Sequence, residues 1–369
     1  VKITSIDIYH IPRKLTKPFV TSLGYNTQAQ SIYVRIKTDQ GLEGLGECTP
    51  SPYINGETYE TCMVVGRMLA KALLDKDPRN IEDNVAVMGK VIYGNTSIKS
   101  AFDIALYDLS SKAEDKPLYA FLGGSINKTI YTDYTVSVGA SESMVEDALR
   151  VKEAGYFITK VKVGKNAEQD VADIGAIREA VGDAMNIRID ANQGWGVEEA
   201  AQSLSAMESF NIQYCEEPIK RYKFDFLPAL KGVSPIKIMA DESVLDHYDA
   251  HRLINNASCD LINIKLGKSS GIYKALKIIK AAEKVDMGLQ LGGFLESKVL
   301  FTANAHLAHT SECCRYYDFD SPLFSLDDPV IGGMKYGDNG QITLTEGAGL
   351  GLELDPVFLK NAEKINVRT

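Results

Sequence analysis

The chain has no CxxC spacing among its six cysteines (48, 62, 215, 259, 313 and 314), and none pairs with its five histidines in a zinc-like pattern. That excludes the common zinc modules and leaves reduced thiols in a cytoplasmic protein as the expectation. No uninterrupted apolar stretch approaches the length of a membrane span. The first ten residues, VKITSIDIYH, lack the basic flank and apolar core of a secretory signal. There is no excess of positive charge either. The net charge is −9, which argues against nucleic acid or an anionic membrane as the main partner. A small anionic ligand stays open, because a bound metal can reverse the local field. No low-complexity linker interrupts the chain.

What is present is an ordinary globular composition, 45% hydrophobic and 24% charged over 369 residues, enough for a sizeable core. The length suggests two domains, or one large barrel with additions. Residues 1 to about 60 alternate apolar and polar (KITSIDIYHI, SIYVRIKTDQG, LEGLGE), and Asp39-Gln40-Gly41 supplies a turn between the last two runs. Residues 58–122 read as helices, with Ile98, Ala101, Phe102, Ala105, Leu106 and Leu109 on one stripe at helical spacing. Together these predict a separate α+β domain over 1–125, rejoined by a glycine-rich tail of short strands at about 321–369.

From about residue 126 to 320 the rhythm changes. The runs YTDYTVSV, ITKVKVG, IRIDAN, IQYCEEP, IKIMADES, LINIKLG and LQLGGF alternate with helix-length amphipathic segments. Repeated strand-helix units specify parallel strands with helical crossovers, and seven or so in succession fit a (β/α) barrel better than an open sheet.

The ionisable residues that end these runs keep step with the repeat. Lys162, Asp190, Glu216, Asp241 and Lys265 follow one another at steps of 28, 26, 25 and 24 residues. One βα unit takes roughly that many residues, so all five are expected at the C-terminal mouth of the barrel. A random scatter of surface charge would not hold that period. Three carboxylates on consecutive strands suit octahedral Mg²⁺ better than zinc. In Thr159-Lys160-Val161-Lys162-Val163 the strand period puts both lysines on one face. Lysine needs a nearby cation to become a base, and Lys160 and Mg²⁺ could both serve Lys162. A base on one side of a substrate, an acid on the other and a metal on its carboxylate can abstract and return a proton through an enediolate. Each piece has a plainer counterpart. Lys-x-Lys can be a solvated strand face, Glu216-Glu217-Pro218 an acidic turn, and the whole set a buried ion-pair network.

The motifs TKVKVG (159–164), RIDANQGW (188–195), EEP (216–218), ADES (240–243) and NIKLGKSSGI (263–272) resemble those of the enolase superfamily, muconate-lactonising subgroup, over essentially the whole chain. The resemblance implies a modified (β/α)7β barrel of TIM type beneath an α+β capping domain. It also implies one Mg²⁺ per subunit on Asp190, Glu216 and Asp241, and Lys162 and Lys265 as the two acid-base groups. Tyr317-Asp318-Phe319-Asp320 resembles the dipeptide epimerases, in which such an Asp-x-Asp binds a dipeptide's free ammonium; two carboxylates facing one cation supply charge-assisted hydrogen bonds. The same resemblance implies Thr135, Lys160, Gly293 and Phe294 as substrate-binding residues.

Side-chain preference is expected from two capping loops, TSLGYNTQ (21–28) and TPSPYINGE (49–57), through Gly24, Tyr25, Tyr53 and Ile54. Epimerases for Ala-Glu carry a basic residue where Gly24 stands, so the second residue of an Ala-X substrate is expected to be small or hydrophobic, not glutamate. The nearest alternative keeps the same machinery as an o-succinylbenzoate synthase or N-succinylamino acid racemase. Exposed barrel helices often pair, which leaves a homo-oligomer open.

Overall fold

A computed structural model describes all of residues 1–369. Its first part is an antiparallel sheet of β1 (Ile3–Thr21), β2 (Gly24–Thr38) and β3 (Glu43–Cys48), covered by α1 (Tyr59–Leu73), α2 (Ile81–Val91) and α3 (Thr96–Ala113). The alternation in the sequence becomes one buried face: Ile6, Ile8, Ile32, Val34 and Ile36 meet Leu69, Ile98, Phe102 and Leu106 in an all-apolar core. Helix α3 is buried all round from Ser97 to Ser111. It lies so close to β3 that a Cβ on Gly44 would stand 2.1 Å from the Ala105 carbonyl oxygen.

One expectation needs correcting here. The segment 21–28 is the tip of a long hairpin, not a free loop: Phe19, Val20 and Thr21 pair with Asn26, Tyr25 and Gly24. The strands run on past the core because the tip has a surface of its own to rest on, the barrel loop after Asp190, as described below.

After α4 (Leu118–Phe121) the run YTDYTVSV divides between two sheets. Strand β4 (Ile130–Tyr131) pairs with the tail, and β5 (Tyr134–Val136) opens the barrel. The barrel continues through β6 (Ile158–Lys162), β7 (Asn186–Asp190), β8 (Ile212–Glu216), β9 (Ile238–Ala240), β10 (Leu261–Lys265), β11 (Gly288–Gly292) and β12 (Cys314–Tyr317). All eight strands are parallel and each lies beside its neighbour in sequence. Crossovers run through α5 (Ser141–Glu153), α6 (Ala167–Val181), α7 (Val197–Ala206), α8 (Leu227–Val233), α9 (His247–Asn255), α10 (Leu266–Ser269) with α11 (Ile272–Glu283), and α12 (Lys298–Ala308). This is a (β/α)7β barrel with an α+β cap. Apolar residues such as Ile187, Ile189, Ile262, Ile264, Leu289 and Leu291 alternate with polar ones and join the shell between strands and helices.

The tail carries β13 (Val330–Gly332), β14 (Met334–Tyr336), β15 (Gln341–Leu344), β16 (Leu352–Leu354), α13 (Pro356–Leu359) and β17 (Glu363–Arg368). The last of these returns to the capping sheet, pairing antiparallel with β1 from Ser5↔Arg368 to His10↔Glu363. Buried capping-domain carboxylates reach into the barrel. Glu47 accepts the Ser297 and Leu300 amides at the start of α12, and Asp103 accepts the Ile272 and Tyr273 amides at the start of α11.

Candidate active site

Five neighbouring strands place the five expected side chains at one mouth. Lys162, Asp190, Glu216 and Lys265 are the last residues of β6, β7, β8 and β10, and Asp241 directly follows β9. The three carboxylates are fully buried, and the lysines lie over them from either side. Lys162 Nζ stands 2.6 Å from Asp190 Oδ2, and Lys265 Nζ 2.7 Å from Asp241 Oδ2. Glu216 lies between, its Oε1 accepting from Asn263 Nδ2 (2.7 Å) and its Oε2 from Gln290 Nε2 (3.2 Å).

The charges in this cluster are unevenly matched. Burial alone would raise the Asp190 and Asp241 carboxyls, but the lysines beside each hold them below the usual range. Glu216 is pushed up, by burial first and then by the charge of Asp190. Next to it, Glu242 Oε2 and Asn192 Oδ1 are buried acceptors without a donor. Hard oxygen ligands in surplus, on three adjacent strand ends, fit a divalent cation.

A second acidic group has oxygens within 4.8 Å of one another: Asp133, Asp318 and Asp320. Here protein groups balance the negative charge only in part, and Asp133 Oδ1 is buried without a donor. Arg188 pairs with Asp133 (2.8 Å), Lys160 with Asp318 (2.8 Å), and the Thr135 amide donates to Asp320 (2.6 Å). Asp318 is held down at about 2; burial opposes this, but Lys160 and Lys162 outweigh it. Asp320 is raised well above the usual carboxylate, by burial and then by Asp318.

A cavity of about 210 Å³ opens above the lysines. Lys162, Lys265, Thr135, Asp318 and Asp320 line it from the barrel side, and Gly293 and Phe294 form part of its wall. Tyr53 and Ile54 close it from the capping side. Three expected contributors stand elsewhere. Lys160 is fully buried behind the carboxylates, 2.7 Å from Glu216 Oε2 and 3.2 Å from Asp190 Oδ2, and does not reach the cavity. Tyr25 is 69% exposed: strand alternation turns it outward while Asn26 and Gln28 turn in. Gly24 also lies outside the lining, and a Cβ there would sit 3.2 Å from the Tyr53 ring.

Two neighbours, Phe19 and Lys268, were not singled out in the sequence, whereas Phe294 was. The Phe19 ring lies 5.8 Å from Lys162 Nζ, and Phe294 lies 5.3 Å from Lys265 Nζ, so each lysine faces an aromatic ring. Lys268 Nζ donates to the Asp241 carbonyl (2.5 Å), the Asn263 carbonyl (3.0 Å) and Asp241 Oδ1. Its spacing three after Lys265 was a visible signal; Phe19 reaches the site only through the fold.

Family comparison accounts for this architecture along nearly its whole length. The model described as mandelate racemase / muconate lactonizing enzyme, N-terminal domain, matches residues 3–123, and that described as enolase C-terminal domain-like matches 143–357. The chain belongs to the enolase superfamily. Among superfamily members, it is 49% identical to a D-Ala-D/L-Ala epimerase of Cytophaga hutchinsonii, over 98% of this chain and 99% of that one. An L-Ala-D/L-Glu epimerase of Clostridium acetobutylicum is 38% identical, with 95% and 98% covered. A crystal structure of a dipeptide epimerase from Cytophaga hutchinsonii, complexed with Mg and the dipeptide D-Ala-L-Val, superposes with a TM-score of 0.99 at 48% identity, all of both chains covered.

Proposed function

We propose that this enolase-superfamily protein is a dipeptide epimerase, an isomerase that inverts the second residue of Ala-X dipeptides. The observation that carries the proposal is the shared cavity: two lysines at opposite ends of a carboxylate trio open into the same space as Asp318 and Asp320. The Cytophaga relatives, matched over nearly their whole length, support it.

Asp190, Glu216 and Asp241 would hold one Mg²⁺ per subunit; when bound, the ion polarises the substrate carboxylate and offsets the charge that develops as the α-proton leaves. Lys162 and Lys265 act on opposite faces of the α-carbon, one taking the proton and the other returning one. Burial favours neutral lysine, but in the protein alone Asp241 and Glu216 outweigh it and keep Lys265 strongly protonated. Lys160, fixed as an ammonium by Asp318, Glu216 and Asp190, sets the charge behind Lys162 and contacts no substrate. Phe19 and Phe294 limit water at the two lysines. Asp318 and Asp320 receive the dipeptide's ammonium, a group that N-succinylated substrates lack.

The residue X is read as small or hydrophobic. No cation other than the two lysines lines the cavity, and a Cβ at position 24 would press on the Tyr53 ring. The division into a cap of 1–125 with 321–369 and a barrel of 126–320 belongs to the same proposal, as does assembly of a homo-oligomer, which light scattering would read. No helix is long and apolar enough to cross a membrane, and all six cysteines are free. A cytoplasmic setting is proposed from the thiols.

The test is α-proton exchange by NMR in D₂O with Mg²⁺, across D-Ala-X and L-Ala-X dipeptides and N-succinylated amino acids. Exchange with unblocked Ala-Val type dipeptides, lost in Lys162→Ala, is the expected result. Exchange confined to succinylated substrates would overturn the assignment, and a strong preference for Ala-Glu would overturn the side-chain reading.

A further inference from the structure

The cavity's outer wall comes from the capping domain. The hairpin stem is held to the barrel where the Val20 carbonyl accepts the Val138 amide (3.3 Å) and Lys17 pairs with Asp147. Its tip and the segment 49–57 are each held there by one side chain. Leu23, at the hairpin tip, and Ile54, in the segment 49–57, both line the cavity. Ser22 Oγ lies 2.9 Å from the Ala191 carbonyl oxygen and 2.8 Å from that of Asn192, in the loop that leaves the Asp190 strand. On the other side, Arg221 Nη1 donates to the Ile54 carbonyl at 2.5 Å, from the loop that leaves the Glu216 strand. No carboxylate lies within 4 Å of that guanidinium, although the side chain is solvent-exposed and free to seek one. An exposed arginine whose head bonds to a backbone carbonyl of a cavity-lining residue is placed to hold that segment.

The platform beneath these two anchors is stiff. Asn192, Gln193 and Glu217 all have left-handed backbones, with φ of 43°, 68° and 35°. They are locked together: the Gln193 amide donates to the Glu217 carbonyl (2.7 Å), and the Arg221 amide donates to Gln193 Oε1 (3.1 Å). Gln193 therefore fixes where the Arg221 backbone starts, and Arg221 fixes where Ile54 ends. The hairpin tip and the 49–57 segment also meet each other, Gly24 against Tyr53. Asn55 Nδ2 ties that segment back to the capping helix α3, donating to Ser97 Oγ (2.6 Å).

We propose that Ser22 and Arg221 are positioning residues that hold the two capping segments closed over the substrate cavity, anchoring them to the loops that leave the metal-ligand strands. The inference rests on the dipeptide-epimerase reading for its kinetic consequence, but not for its structural one. Each anchor is a hydrogen bond of modest net strength, so the wall can open to admit substrate and close behind it.

The experiment compares wild type, Ser22→Ala, Arg221→Met and the conservative Arg221→Lys, by steady-state epimerisation and by amide hydrogen exchange. Arg221→Met is expected to raise KM about tenfold with kcat within about twofold, as loss of binding common to substrate and transition state does. Arg221→Lys should restore part of it. Amide exchange should quicken in 49–57 for Arg221→Met and in 21–28 for Ser22→Ala, with Mg²⁺ affinity by calorimetry unchanged. Unaltered exchange in both segments would overturn the proposal, as would a fall in kcat with unchanged KM. A wild-type enzyme inactive on every dipeptide would overturn the functional reading instead, and the exchange measurement would still decide the anchors.

Discussion

The two halves of the molecule fill their interiors in opposite ways. Between the capping sheet and its helices the packing is aliphatic and aromatic, with Ile6, Ile8, Ile36, Phe102 and Leu106 fully buried. Inside the barrel the strands point Lys160, Arg188, Glu216, Asn263 and Gln290 at one another, and only a small group of Tyr214, Met239 and Leu261 is apolar. Arg188 lies over the Tyr214 and Tyr316 rings, at 5.5 and 5.3 Å, and the two rings meet edge to face. The barrel's apolar burial sits outside its strands, in the shell shared with the helices. The difference shows where each half spends its specificity: the cap on shape, the barrel interior on placing charge. In the barrel, cohesion and chemistry occupy opposite faces of the same strands.

If that separation is correct, removing a mouth lysine should destroy activity and spare the fold. Lys162→Ala or Lys265→Ala is expected to lower kcat by about 10²–10⁴-fold or more, the range for loss of a positioned acid or base. Asp190 keeps Lys160 and Asp241 keeps Lys268 as partners, so circular dichroism melting should stay near that of the wild type, and a large drop in Tm would break the comparison. The converse change is Phe102→Ala in the cap, where a buried ring leaves a cavity. About 3–5 kcal/mol of stability should be lost in urea titration, with kcat little changed where the protein remains folded.

Arg188→Met tests the barrel's polar interior for a structural share. It leaves Asp133 buried without its partner, a cost of about 1–3 kcal/mol. Burial and Asp318 already push Asp133 up to about 7 from an unfolded value of 3.8, so it can take up a proton. An acid whose folded pKa is raised contributes stability below its unfolded pKa and loses it as pH rises through the folded one. The variant's deficit should therefore be larger at pH 8 than at pH 6. An equal deficit at both would mean that Asp133 stays ionised.

The smallest effect is expected at the boundary between the halves. Asp103 is pushed up to about 8 by burial, although two amides of α11 favour its charged form. By the same sign, its contribution declines as pH rises from about 4 towards 8. Asp103→Asn keeps the acceptor for α11 and removes the proton, so its Tm should fall less than that of the wild type between pH 6 and 8.5.

The strand-end charges were legible in the sequence because the barrel repeats. A period of about 25 residues carries Lys162, Asp190, Glu216, Asp241 and Lys265 to one mouth whatever the helices between them contain. The capping core was legible through alternation in β1 and β2 and the stripe on α3. What could not be read depends on contacts between distant segments. Lys-x-Lys gave both lysines one face, but not that Lys160 is sealed behind the carboxylates while Lys162 reaches the cavity. The residues 21–28 read as a loop; their strand pairing and the contact of Ser22 with the Ala191 and Asn192 carbonyls come only with the fold. Phe19 and Arg221 sit in sequence surroundings that say nothing of the cavity that Phe19 lines or of the Ile54 carbonyl that Arg221 meets.

The pairing of β17 with β1 makes the whole barrel, in connectivity, a loop inserted between two neighbouring strands of one small sheet. The Thr369 amide donates to the Thr4 carbonyl (3.2 Å), so residues 4 and 369 lie side by side on this sheet. A short peptide joining them would close the chain into a ring without crossing the mouth of the barrel. New ends could then be cut in an outer barrel loop, with Lys162 and Lys265 keeping their places. Pulled apart at residues 4 and 369, the same sheet would open one bond pair at a time, as a zip does, before any load reached the barrel.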